Sequence, residues 1–363
     1  MKITICGGGN LGHVTGGFLA SDEKNEVSLL TTRPERWAEE IVVYEGQGAR
    51  SKEQENSQGQ ETNVYRGHWQ RISAAATEVI TDTDMVLLCL PGYAIGPVLE
   101  QIKDALCAKT WVGSVVSSTG FFFEAMKRLP GSQPLFGFQR VPFISRIIEY
   151  GHSAELKGYK ESLNVAVEQT TERETIRKTL EELFHTPVNL LDSYYAVSLS
   201  NSNPLLHPSR LYTLWKDWQP GISYDNNPGF YEEWTDAASK LLISMDDEFQ
   251  RLLVRIGLKA GCIPPILDYY ESEDAPSLTR KIQSISAFKN IASPMVQLAG
   301  GKYIPDFKSR YFTEDFPYGM RFIVETAHQY QQPIPVIERV YKWGCDKIAA
   351  YEKGKDQERE EKN

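Results

Sequence analysis

Cysteine is scarce in this chain, and what little there is lies scattered. Cys6, Cys89, Cys107, Cys262 and Cys345 form no C-x-x-C pair in 363 residues. That excludes a disulfide framework and a cysteine-rich zinc site. Cys6 and Cys89 fall in apolar, strand-like runs and read as reduced core thiols. Histidine is scarce too, with six in all, and no H-E-x-x-H or related metal pattern occurs, so no metal site is expected. Basic charge is short: 39 Lys and Arg against 48 Asp and Glu leave a net charge of -9. A general nucleic-acid binder would show the opposite balance. Long apolar runs are missing, and nothing approaches the roughly 20 residues that span a bilayer. No signal peptide is expected, because the first strand already opens at Lys2. There is no internal repeat of fixed period. These absences point to a cytoplasmic protein with neither membrane nor nucleic acid among its partners.

What is present begins at once. Lys2-Ile3-Thr4-Ile5-Cys6 reads as a buried strand running into Gly7-Gly8-Gly9-Asn10-Leu11-Gly12 and then into a helix. Gly7, Gly9 and Gly12 fill the G-x-G-x-x-G spacing. The first allows a sharp turn, the second close approach of a pyrophosphate, and the third tight helix–strand packing. Free N–H groups and the helix dipole attract phosphate there. The alternative is a glycine turn of purely structural use, but the strand before and helix after favour a dinucleotide site. Gly7, Gly9, Asn10, Leu11 and Gly12 are the candidate phosphate-binding residues. Pro91, which stops the apolar run Met85–Leu90, is a further cofactor-binding candidate.

Glu26–Leu30 reads as the second strand, and its end indicates the cofactor. An NAD enzyme usually places an acid there for the ribose hydroxyls. This chain has Thr31-Thr32-Arg33, with no acid until Glu35. Hydroxyls and a guanidinium suit a 2′-phosphate, so Thr31 and Arg33 favour NADP, with NAD the alternative. The bland reading of Arg33 is that it stacks on adenine or faces solvent.

Residues 45–70 are polar, with little periodicity, and read mostly as a surface excursion. Ile72–Ala75 reads as a short strand and residues 77–83 as a short helix. Met85–Leu90 is continuously apolar, as a strand buried on both faces must be. Strand-like runs at Trp111–Val116, Pro134–Phe138 and Leu163–Val167 alternate with helices. This is an α/β pattern, a Rossmann-like doubly wound parallel sheet. Near residue 192 helical periodicity takes over. Its clearest stretch is Phe230–Ile256, with apolar residues at three-and-four spacing. Further helices are expected near Glu314 and near Pro335. The chain thus divides into a dinucleotide-binding domain, residues 1–192, and an all-helical C-terminal domain, residues 193–363.

Two clusters in the second part could carry chemistry. In Asn203-Pro204-Leu205-Leu206-His207-Pro208, Asn203 and His207 lie four apart and share a helix face, while the prolines would distort that helix. A helix-boundary histidine bonded to a carbonyl is the bland alternative. His13, His68, His152, His185 and His328 lack comparable company and read as structural or surface residues. In Arg310-Tyr311-Phe312-Thr313-Glu314-Asp315, Thr313 looks like a helix cap with two acids at the positive helix end. The functional reading instead gives Arg310 a substrate carboxylate and Asp315 the task of orienting His207.

The glycine loop, Asn203…His207-Pro208, and Arg310…Glu314-Asp315-x-Pro-x-Gly319 together resemble the octopine/nopaline (opine) dehydrogenase family over nearly the whole chain, in order. The resemblance implies a Rossmann domain followed by a helical substrate domain, with substrate in the cleft between them. It implies NAD(P)H-dependent reductive condensation of an amino acid with a 2-oxo acid, acting on a CH–NH group. Residue by residue, it makes His207 catalytic, Asp315 its acidic partner, Arg310 the carboxylate-binding arginine and Asn203 a substrate-binding neighbour. The expected partners are therefore small molecules, with a homodimer as an admissible assembly. Two other readings stay open. One is a ketopantoate-type or 2-hydroxy-acid reductase on the same plan, and the other a non-catalytic dinucleotide sensor.

Overall fold

The computed structural model describes residues 1–46 and 63–360. It divides into two compact units, Met1–Ser200 and Asn201–Asn363. The first comprises, in order, β1 (Lys2–Cys6), α1 (Asn10–Ala20), β2 (Glu26–Leu30), β3 (Glu40–Glu45), β4 (Val64–Ser73), α2 (Ala76–Val79), β5 (Met85–Leu88), α3 (Gly92–Ile102) and β6 (Trp111–Ser114). It continues through α4 (Phe121–Arg128), β7 (Leu135–Phe138), β8 (Phe143–Glu149), β9 (Ser153–Tyr159), β10 (Leu163–Glu168), α5 (Arg173–Phe184), β11 (Val188–Leu190) and α6 (Tyr194–Ser198). Helical character thus starts with α6, a few residues before the division between the units.

The described strands form one sheet in the order β11-β10-β7-β6-β5-β1-β2-β4-β3-β9-β8. Its centre, from β4 through β2, β1, β5 and β6 to β7, is parallel. Antiparallel pairs lie outside it, at β10/β7, β3/β4 and β8/β9. The chain leaves β1 towards β2 on one side and returns to β5 on the other. The glycine loop therefore sits at the topological switch point, at the carboxyl end of β1, where such sheets bind ligands. The apolar run in β5 follows from burial on both faces. Met85 and Leu87 join the core on one side of the sheet, with Ile3, Ile5, Val27 and Leu29, while Val86 and Leu88 join the core on the other, under α3 and α4.

Part of the stretch expected as surface excursion is strand: Glu45 ends β3, and β4 starts at Val64 and ends at Ser73. Residues 47–62 lie outside the described residues. The β8/β9 hairpin carries no strong signature in the sequence, since β8 exposes Ile144 and Ile148 to solvent. With β3 and β4 it curls over α1, so residues Gly12 to Leu19 are all buried.

The second unit is helical: α7 (Asn203–Trp215), α8 (Asp236–Arg255), α9 (Ile266–Tyr269), α10 (Ala275–Ser284), α11 (Arg310–Thr313), α12 (Arg321–Gln329) and α13 (Pro335–Glu360). It also holds a small antiparallel hairpin, β12 (Met295–Gln297) with β13 (Tyr303–Pro305), which helical periodicity did not foretell. α8 starts six residues later than its apolar stripe suggests. Thr235 caps it, its hydroxyl accepting from the Ala238 N–H at 3.3 Å. Phe230, Tyr231 and Trp234 are buried in the turns before it, which is why they mimic a helical stripe. Near Glu314 the chain forms α11 and then a π-turn, Phe316–Met320, closed by Met320 N–H to Asp315 C=O at 2.7 Å. Thr313 is not an N-cap; its hydroxyl donates to the Ser309 carbonyl at 3.2 Å at the end of α11.

No helix among the described residues is long and apolar enough to cross a membrane.

Candidate dinucleotide and acid–base sites

In the first unit the glycine loop is the candidate anion cradle. Gly7 holds φ +119°, and a Cβ there would meet the Cys89 carbonyl oxygen at 2.6 Å. A Cβ on Gly12 would stand 1.9 Å from the Gly7 carbonyl oxygen, so this helix can pack on the turn only without a side chain. Gly9 is different: nothing lies within 4 Å of the position its Cβ would take. It is the N-cap residue of α1, and no side chain caps the helix. The helix N-terminus, carrying Asn10, Leu11 and Gly12, thus presents donors for a pyrophosphate. Pro91 is the N-cap of α3, at the end of the neighbouring strand β5.

At the end of β2, the buried Thr31 accepts the Arg33 N–H at 3.4 Å, and Arg33 is exposed. A second guanidinium, that of Arg36, lies 4.4 Å from the centre of the Tyr150 ring. The Tyr150 hydroxyl and Thr31 Oγ1 would be 2.8 and 3.2 Å from a Cβ on Gly8, so both flank the glycine loop. Tyr150 follows β8 in the curled hairpin, far from the glycines in sequence, and no local signal pointed to it.

His13, read from sequence as structural or surface, ties this loop to the hairpin. It is fully buried. Its Nδ1–H donates to the Gly9 carbonyl at 2.9 Å, and its Nε2 accepts the Gly151 N–H at 2.7 Å. Burial pulls its pKa below the ordinary value, against the Gly9 bond, which raises it. A proton on Nε2 would abolish acceptance from Gly151. Because the folded pKa lies below the unfolded one, the unfolded chain takes up the proton first. Stability from this group is complete above the unfolded value of about 6.5 and is lost as pH falls through the folded value. The thermal midpoint should therefore drop as pH is lowered from 7 to 5. A His13→Asn variant should be less stable at pH 7.5 and show a shallower pH dependence. Parallel pH curves for the two proteins would refute this role.

The second unit brings the two chemical clusters together. His207 lies in the first half of α7, 8% exposed. Its Nδ1 is 2.7 Å from Asp315 Oδ2 although the residues are 108 positions apart. Asp315 immediately precedes the π-turn. A Cβ on Gly319 would come 2.5 Å from Pro204 Cγ, so this glycine lets the wide turn press against the start of α7. An ionised carboxylate only accepts, which places the proton on Nδ1. Nε2 is then the acceptor, and the Tyr231 hydroxyl donates to it at 2.8 Å.

Sequence reasoning missed Tyr231, and with it Arg210. Arg210 is 3% exposed; its Nε donates to the Phe230 carbonyl at 3.1 Å and its Nη2 reaches the Gly229 carbonyl at 3.5 Å. Burial draws its pKa down to about 10, with Glu233 opposing. This guanidinium pins the turn that carries Tyr231. The ring of Tyr231 stacks on Phe288 at 4.1 Å, while Tyr311 packs edge-on to His207 at 4.7 Å.

Asn203 opens α7 one turn before His207, its N–H donating to Asn201 Oδ1 at 3.2 Å. Arg310 opens α11. Its side chain is 85% exposed, and its Nε and Nη2 each lie 3.1 Å from a carboxylate oxygen of Glu314.

Residues 3–137 match the family model described as ketopantoate reductase PanE/ApbA. Residues 190–348 match that of the NAD/NADP octopine/nopaline dehydrogenase alpha-helical domain. A Rossmann-like sheet followed by this helical domain, with these family matches, defines the class: an NAD(P)-dependent oxidoreductase. Within it the chain is a homologue of the opine dehydrogenases. It is 27% identical to octopine dehydrogenase of Mizuhopecten yessoensis over 96% of this chain and 90% of that protein. It is 26% identical to tauropine dehydrogenase of Arabella iricolor over 94% and 90% of the two chains. A solved structure of octopine dehydrogenase with NADH and L-arginine shares the fold, with TM-score 0.80, 24% identity and coverage of 96% of this chain and 90% of that one.

Proposed function

We propose that the chain is an opine dehydrogenase that condenses the amine of an amino acid with a 2-oxo acid and reduces the product with NAD(P)H. The observation that carries this reading is the partly buried His207–Asp315 pair, joined at 2.7 Å in a unit that matches the octopine/nopaline dehydrogenase helical domain. Relatives named octopine and tauropine dehydrogenase support the same chemistry.

When bound, the reduced nicotinamide supplies the hydride. The chain's residues do the rest. The glycine loop and the α1 N-terminus hold the pyrophosphate, Pro91 lies beside it, and Thr31 with Arg33 favours a 2′-phosphate and hence NADP over NAD. Asp315 keeps His207 in one tautomer. His207 exchanges protons with the carbonyl oxygen and the amine as the imine forms and water leaves. Arg310 exchanges Glu314 for the oxo-acid carboxylate, which its planar fork matches. Asn203, on the histidine's helix face, contacts the substrate. Five scattered cysteines with no C-x-x-C pair accord with a cytoplasmic enzyme, and a homodimer is an admissible assembly.

The test is a matrix of 2-oxo acids crossed with amino acids, following oxidation of NADPH and NADH. Oxidation that requires both substrates, faster with NADPH, is the expected result. The ketopantoate match covers the first unit alone, so it favours a second reading only if a ketone without an amine is reduced. Tight cofactor binding with no turnover would leave a sensor.

A further inference from the structure

Both ring nitrogens of His207 are engaged. Asp315 holds Nδ1, and the Tyr231 hydroxyl holds Nε2 at 2.8 Å. Any proton the histidine exchanges therefore passes through that hydroxyl or requires it to leave. Leaving is difficult. Tyr231 is 5% exposed, its ring stacks on Phe288 and lies parallel to Trp234, and Arg210 clamps the backbone carbonyl of Phe230 beside it. The Tyr311 ring packs edge-on to the same histidine and lies 4.7 Å from the Phe230 ring. Tyr311 is only partly buried. Asp315, His207 and Tyr231 thus form a hydrogen-bonded row, with Tyr311 beside the histidine ring. Burial holds both phenols protonated, above the ordinary tyrosine value, so each is a hydroxyl able to donate and accept.

We propose that Tyr231 is a positioning residue of the acid–base site, whose hydroxyl conducts the proton that His207 gives or receives. The proposal rests on the reading of His207 as the acid–base group. The proton balance closes. To charge neutral His207, the Tyr231 O–H breaks as Nε2–H forms, and a hydronium ion returns a proton to the Tyr231 oxygen. Two O–H bonds break, one O–H and one N–H form, and the imidazolium beside Asp315 carries the charge. In discharge the Nε2–H breaks as the Tyr231 O–H re-forms, and the proton already on that oxygen passes to the substrate oxygen or amine. The arrangement lets the ring change protonation state without moving off Asp315.

Tyr231→Phe removes the hydroxyl and keeps the stacked ring. Turnover number should fall about 100-fold, the lower end of general acid–base effects, with KM for the oxo acid little changed. The proton inventory in mixed H2O and D2O should be curved in the wild type and linear in the variant. In a His207→Ala background, Tyr231→Phe should cost nothing more, since it acts only through the histidine. Wild-type turnover in Tyr231→Phe overturns the proposal, as does a loss that multiplies with that of His207→Ala. If the wild type proves to have no amine-dependent activity, the reading of the reaction fails separately. The proposal is then judged by exchange of the His207 ring proton with solvent, read by 15N NMR. Slower exchange in Tyr231→Phe upholds it, and an unchanged rate overturns it.

Discussion

His207→Ala is expected to lower turnover by about 10²–10⁴-fold, the range that loss of a positioned acid–base group covers. Cofactor affinity should hardly change, because the glycine cradle belongs to the other unit. Asp315→Asn should cost less. The amide keeps the contact but can offer Nδ1 a donor instead of an acceptor, so the wrong tautomer becomes accessible. The double variant should lose far less than the product of the single losses, because residues acting as one unit do not contribute independently. Steady-state kinetics on the three proteins, with fluorescence titration of NADPH, checks all of this. Full turnover in His207→Ala would remove the histidine from the reaction. A multiplicative double variant would mean that the 2.7 Å contact holds structure together without serving catalysis.

How much of this site could be read before folding depended on whether chemistry coincided with local pattern. The glycine loop was legible because turn, strand and helix signals occupy consecutive residues. His207 and Asp315 were legible because each sits in a short motif of unusual composition, although nothing in the sequence says that two residues 108 positions apart touch. Tyr231 was hidden by a pattern that pointed elsewhere. Phe230 and Trp234 extend the apolar period of α8 backwards, so the stretch looks like one helix, whereas Thr235 starts the helix later. An aromatic in a buried turn and an aromatic on a buried helix face leave the same trace in sequence. β4 was hidden differently. Its inward positions include Gly67 and Trp69 between exposed Arg66, His68 and Gln70, so the alternation is there but one of its inward members has no side chain. The β8/β9 hairpin exposes isoleucines, which blurs inside and outside alike. In each case the missing information is tertiary: which neighbour, distant in sequence, covers the residue.

The glycine loop offers the second large effect, and here two variants should part company. Gly9→Ala places a methyl group where nothing lies within 4 Å, at a residue whose backbone is extended, φ −88° and ψ −173°, and open to any side chain. The fold should lose at most about 1 kcal/mol, the scale of an alanine at a helix N-cap. The methyl group does, however, fill the space through which a pyrophosphate would approach the α1 N–H groups. NADPH affinity should fall at least tenfold, about 1.4 kcal/mol. Gly12→Ala should behave in the opposite way. Its methyl group would stand 1.9 Å from the Gly7 carbonyl oxygen, and Gly7 cannot yield easily, held at φ +119° against the Cys89 carbonyl. Helix and turn must separate, which costs about 1–3 kcal/mol or more by overpacking, so the thermal midpoint should fall by several degrees. Melting curves of both variants without cofactor, followed by NADPH titration of each, separate the two effects. A Gly9→Ala protein that melts like the wild type and binds NADPH equally well would mean that the phosphates do not lie on this loop, and the cradle would then be only a tight turn.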